Sequence, residues 1–113
     1  MYAYLDTAAP MPRESANPYA LGEIAKRLKL LRDALGNTQA TMASLAGATP
    51  AAWGNYESGI RRIRIDEALR LCSTVGVTLD WIYRGNVAQL PGDLIERIQL
   101  ELRDQQRSRR GRH

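Results

Sequence analysis

The chain has 113 residues, room for one domain with tails but not for two separate cores. Its hydrophobic fraction of 44% is that of a globular protein, and no run of about 18 apolar residues is present to span a membrane. One cysteine, Cys72, and one histidine, His113, exclude an internal disulfide and leave too few ligands for structural zinc, while a net charge of +4 suits either an anionic partner or an ordinary solvated surface.

That charge is unevenly spread. Residues 1–20 carry −1, residues 21–85 carry +3, residues 86–102 carry −2 and residues 103–113 carry +4. Basic charge therefore gathers in the central region and at the end, and 14 of the 16 cations are arginines, whose planar fork suits phosphate.

Residues 1–20 show neither a twofold nor a 3.6-residue period and read as a flexible arm. Met1 to Pro10 lacks the basic start and apolar stretch of a signal peptide. Tyr2, Tyr4 and Tyr19 offer docking groups without indicating where they dock.

From Leu21 the pattern turns helical. Leu21, Ile24, Leu28, Leu31 and Leu35 share one face of a predicted first helix, which Gly36 and Asn37 end. Thr38 is placed to cap a short second helix, Gln39 to Ala46, closed by Gly47. Thr49 caps a third helix opened by Pro50, where the missing N–H costs nothing, and running to about Ser58 before Gly59. Two short helices across a three-residue turn have the geometry of a helix-turn-helix, whose second helix enters a DNA major groove.

A connector from Ile60 to Arg64 precedes a fourth helix, Ile65 to Val75, with Ile65, Leu69, Leu71, Cys72 and Val75 predicted as its core face. A brief fifth helix holds Leu79, Trp81, Ile82 and Tyr83 and ends at Gly85. Residues 86–92 read as a linker. Asp93 is predicted to cap a C-terminal helix over residues 93–106, with Glu96 at capping-box spacing, and residues 107–113 form an arginine-rich tail. Leu94, Ile95, Ile98 and Leu102 share a face of that last helix, which suits packing on its own domain or a second copy better than on a membrane.

The segments LRDALGNTQATMASLAGATPAAWGNYESG and DEALRLCSTVGVTLDWIYRG resemble the Cro/repressor-type (XRE) helix-turn-helix family, with the likeness covering residues 21–85. The TQ pair at a helix start, Ala43 and Gly47 four apart, Trp53, Tyr56, Glu57 and Gly59, and the later GVTLDW carry it. The resemblance implies an all-α, five-helix lambda-repressor-like domain with an additional C-terminal helix and a basic tail. It implies an ion pair between Arg32 and Glu57 that orients the third helix. It implies double-stranded DNA as partner, with Gln39 on a phosphate, Arg61, Arg62 and Arg64 along the backbone, and Thr49, Ala51, Gly54 and Asn55 toward base edges. Thr49 serves equally as a cap, and Asn55 equally as a solvated amide.

Several positions depart from the family pattern. Pro50, Ala51 and Gly54 stand where long polar side chains are common, so base readout is expected to be thin, leaning on phosphates and DNA shape. Gly54 also weakens its helix by about 1 kcal/mol relative to alanine. Asn37 replaces an apolar residue and Arg64 a smaller cap.

The expected function is a sequence-specific transcriptional regulator, a homodimeric repressor of bacterial or phage-like type, cytoplasmic and nucleoid-associated. No nucleophile–base pair, phosphate loop, cofactor motif, metal cluster or small-molecule site is evident, and no enzyme is expected. The alternatives are a protein-interaction adaptor or antitoxin-like module, and a non-specific nucleic-acid binder using the arginine tail, which otherwise remains a solvated extension.

Overall fold

A computed structural model describes residues 17–110. All regular structure among them is helical: α1 (Leu21–Leu35), α2 (Gln39–Ala46), α3 (Pro50–Glu57), α4 (Ile65–Val75), α5 (Leu79–Arg84) and α6 (Gly92–Arg110). Most of the expected arm, with Tyr2 and Tyr4, lies outside the described residues, as do Arg112 and His113. Residues 17–20 form a turn in which the Ala20 N–H donates to the Asn17 carbonyl at 3.2 Å.

The central helix is α1, packed against α3, α5 and α6, while α2 packs against α3 and α4. Ile24, Leu28 and Leu31 recur at helical spacing and are fully or nearly fully buried, so one face of α1 forms the floor of the core. Met42, Ala43 and Ala46 of α2 and Trp53 and Tyr56 of α3 close over that floor. The two aromatic rings meet edge to face, with centroids 6.2 Å apart and planes 77° apart, an arrangement favoured by the ring quadrupoles.

The short helices hold their limits through side-chain caps. Thr38 Oγ1 accepts from the Thr41 N–H and Thr49 Oγ1 from the Ala52 N–H, each at 3.1 Å, satisfying donors that the first turn cannot pair internally. Between them, Gly47 takes φ +72°, and the Ala48 N–H reaches back to the Ala43 carbonyl at 2.8 Å. This Schellman closure needs a left-handed residue, which glycine adopts without steric cost.

Three expectations are corrected here. Of the expected core face of α4, Leu71 is fully buried, but Ile65 and Leu69 are 53% and 47% exposed, and Ala68, not expected there, is fully buried in their place. Residues 65 and 69 share one flank, whereas 68 and 71 lie about 100° away around the helix, and apolarity alone cannot say which of two adjoining stripes turns inward. Residues 86–92 are not simply a linker: Leu90 is buried in the same core cluster as Leu94 and Ile98 of α6. The C-terminal helix begins at Gly92 and runs to Arg110, so Asp93 lies in its first turn rather than capping it, and residues 107–110 are helical. The Pro91 carbonyl starts the ladder by accepting from the N–H groups of Leu94 and Ile95.

Candidate nucleic-acid interface

The outer surface of the α2–α3 pair is set by what anchors its inner surface. Trp53 and Tyr56 fix the inward side of α3, leaving Thr49, Pro50 and Ala51 exposed and Gly54 and Asn55 half-buried. Tyr56 Oη donates to a Glu67 carboxylate oxygen, tying α3 to α4. Burial, with that hydrogen bond next, pushes the Tyr56 pKa up to about 12, so the phenol keeps its proton and remains a donor.

Glu57, the last residue of α3, gathers the helices around one carboxylate. Arg32 Nε reaches its Oε2 at 2.7 Å and Arg32 Nη2 its Oε1 at 3.0 Å, a bidentate pair. The buried Trp53 indole N–H donates to Oε2, and the Gln39 amide donates to Oε1 at 3.0 Å. The side chains of Arg32 and Glu57 are only 17% and 4% exposed. Burial alone would raise the Glu57 pKa, but the hydrogen bonds from Arg32, Gln39 and Trp53 and the charge of Arg32 outweigh it and hold the carboxyl below its ordinary range. The same contact, against some desolvation, raises Arg32 above its usual value.

Gln39, expected on a phosphate, makes a side-chain contact within the protein. Gln39 is exposed, its amide donates to Glu57, and its carbonyl oxygen lies 3.9 Å from where a Cβ on Gly54 would sit. The side chain of Gln39 thus lies beside the middle of α3. Its backbone N–H, in the first turn of α2, has no intrahelical acceptor available.

The connector after α3 carries Arg61, Arg62 and Arg64, all exposed, and none lies within 4.0 Å of a carboxylate among the described residues. Two long-range contacts hold the connector. Tyr83 Oη donates to the Ile63 carbonyl at 2.7 Å, and Arg62 Nη1 donates to the Tyr19 carbonyl at 3.0 Å. Arg62 is therefore partly engaged by the turn before α1, whereas Arg61 makes no such contact. Arg64 occupies the N-cap of α4 without a side-chain capping bond, consistent with its being a poor cap.

Arg70, which sequence reasoning did not single out, lies against the turn between α2 and α3. Its guanidinium lies over the turn, with Nε 2.8 Å from the position a Cβ on Gly47 would take. Its position in α4 carries no local signal for this, because the contact forms only once α2 packs on α4.

No helix among the described residues is long and apolar enough to cross a membrane. Two short capped helices joined by a glycine turn, with the second exposed along its opening turn, define a helix-turn-helix protein. The chain belongs to the helix-turn-helix domain family, whose model matches residues 23–81, more than half of its length, and it is a DNA-binding protein by that membership. Comparisons with curated proteins and with solved structures gave no match.

Proposed function

We propose that the protein is a sequence-specific transcriptional regulator of the Cro/repressor type, a homodimer that represses by occupying an inverted repeat with half-sites about one turn of duplex apart. The observation that carries this reading is the exposure of Thr49, Pro50 and Ala51 at the head of a helix whose other side is pinned by Trp53, Tyr56 and Glu57. On this reading the backbone N–H of Gln39 meets a phosphate, aided by the helix dipole, while Arg61, Arg62 and Arg64 follow the strand. Thr49 Oγ1 accepts in its capping bond, so its hydroxyl proton remains available to a base or a phosphate. Ala51 supplies apolar contact to a thymine methyl and Asn55 an amide edge. The exposed flank of Ile65 and Leu69 on α4 supports a second copy as partner, since apolar residues clustered on one helix face mark association surfaces.

Selection from a random duplex pool by the full chain tests the proposal. An enriched palindrome supports it. Retention without enrichment would replace it with non-specific binding, and no retention at low salt would leave a protein-interaction module, a reading that the small outward residues Ala51 and Gly54 would then favour.

A further inference from the structure

The arginines at the end of the chain are displayed as a stripe rather than scattered. In α6, Leu94, Ile98, Glu101 and Gln105 turn toward the rest of the protein, as their burial shows. Arg103, Arg107 and Arg110 follow at spacings of four and three, which brings them onto one face, roughly opposite that packed side. All three are exposed, and among the described residues none meets a carboxylate within 4.0 Å. Lys26, Lys29, Arg32 and Arg84, by contrast, are each paired with an acid.

The half of α6 that carries the stripe is tied to the helix-turn-helix by a continuous polar relay. Gln105 Nε2 donates to Asp33 Oδ2 at 3.0 Å, and Asp33 Oδ1 lies 3.7 Å from Arg32 Nη1. Arg32 in turn grips Glu57, which holds the Gln39 amide at the head of α2. Gln105 is further fixed by Glu101 Oε2 at 3.0 Å. The arginine stripe therefore stands on the same end of α1 that launches α2, as part of an ordered helix.

We infer that Arg103, Arg107 and Arg110 form a second duplex-binding surface, which engages backbone phosphates flanking the half-site taken by α3. The inference rests on the DNA-binding reading above. At about 1.5 Å rise per residue the three cations span about 10 Å, long enough to meet neighbouring phosphates of one strand. Arginine suits this role because its fork gives two parallel hydrogen bonds to phosphate oxygens. The contacts carry no base information, so the stripe adds affinity and leaves sequence preference to α3.

The test compares the full chain with R103Q/R107Q/R110Q on a 30-base-pair random-sequence duplex at several salt concentrations. Glutamine retains helix propensity, and circular dichroism checks that α6 persists. The slope of log K against log salt is expected to shrink by about 2 to 3 units, with the site preference from selection unchanged. R97Q, which removes a charge from another side of α6, is expected to leave the slope alone. An unchanged slope in the triple variant overturns the stripe while leaving the helix-turn-helix reading intact. A comparable fall in R97Q would trace the effect to net charge and also overturn it. If the unmodified chain binds no duplex even in dilute buffer, both readings fall.

Discussion

The amide of Gln39, the first residue of α2, donates to the carboxylate of Glu57, the last residue of α3, at 3.0 Å. The two ends of the helix-turn-helix are thereby joined directly, and Arg32 joins both to α1. The inner wall of the unit is thus polar at this corner and apolar at Trp53, whose indole N–H is satisfied by the same carboxylate.

Removing Arg32 leaves Glu57 buried with neutral donors only. Arg32→Ala is expected to cost about 3 kcal/mol, because the loss is dominated by an uncompensated buried charge. Urea titration measures it, and a loss under about 1 kcal/mol would contradict the role given to the pair.

Acid should act on the same group. Since the folded protein lowers the Glu57 pKa from the ordinary 4.5, the unfolded chain takes up the proton first. The stabilisation is complete above 4.5 and disappears as pH falls through the lowered folded value. Urea midpoints between roughly pH 6 and pH 3 should therefore fall more in the natural chain than in Glu57→Gln, whose residue 57 does not titrate. Parallel curves would show that Glu57 does not contribute.

Two glycines should respond oppositely to alanine. Gly47→Ala puts a Cβ on a residue at φ +72° and 2.8 Å from Arg70 Nε, so a loss of about 1–2 kcal/mol is expected. Gly54→Ala meets only Gln39 Oε1 at 3.9 Å, an ordinary contact, and is expected to gain up to about 1 kcal/mol in helix propensity. If the backbone at Gly54 approaches a duplex closely, the stabilised variant should also bind DNA more weakly. Denaturation and duplex titration of the same samples separate the two effects.

The α4 flank provides a test of assembly. Leu69→Glu alters a side chain already 47% exposed, so stability should change by no more than about 0.5 kcal/mol. On the proposed dimer it should shift the protein to monomer in sedimentation at micromolar concentration. A dimer that persists would remove this face from the interface.

The limits of α1 and α2 are legible in the sequence because periodic apolar residues, Thr38 as a cap and closing glycines coincide, and Gly85 marks the end of α5. What the sequence did not reveal is set by distant partners. The turn of Gln39 toward Glu57 depends on a residue 18 positions away, and the engagement of Arg62 by Tyr19 on one 43 positions away. Ile65 and Leu69 misled because they continue an apolar pattern whose buried stripe is Ala68 and Leu71. The extent of α6 was hidden by the lack of aliphatic residues after Leu102, yet arginine and glutamine are good helix formers, and cations in the last turn are favoured by the negative end of the helix dipole.

The corner at Glu57 bears on how quickly and how cleanly the protein can read a duplex. Three helices converge on one carboxylate whose partners are Arg32, Gln39 and Trp53, so on the proposed function α3 would meet a groove with its backbone already fixed against α1 and α2. Little conformational freedom is then surrendered on docking, and a mismatched site cannot be accommodated by letting α3 swing. On the proposed function, a helix that offers only Pro50, Ala51 and Gly54 among its outward residues besides Asn55 would owe its discrimination to this fixed height and tilt.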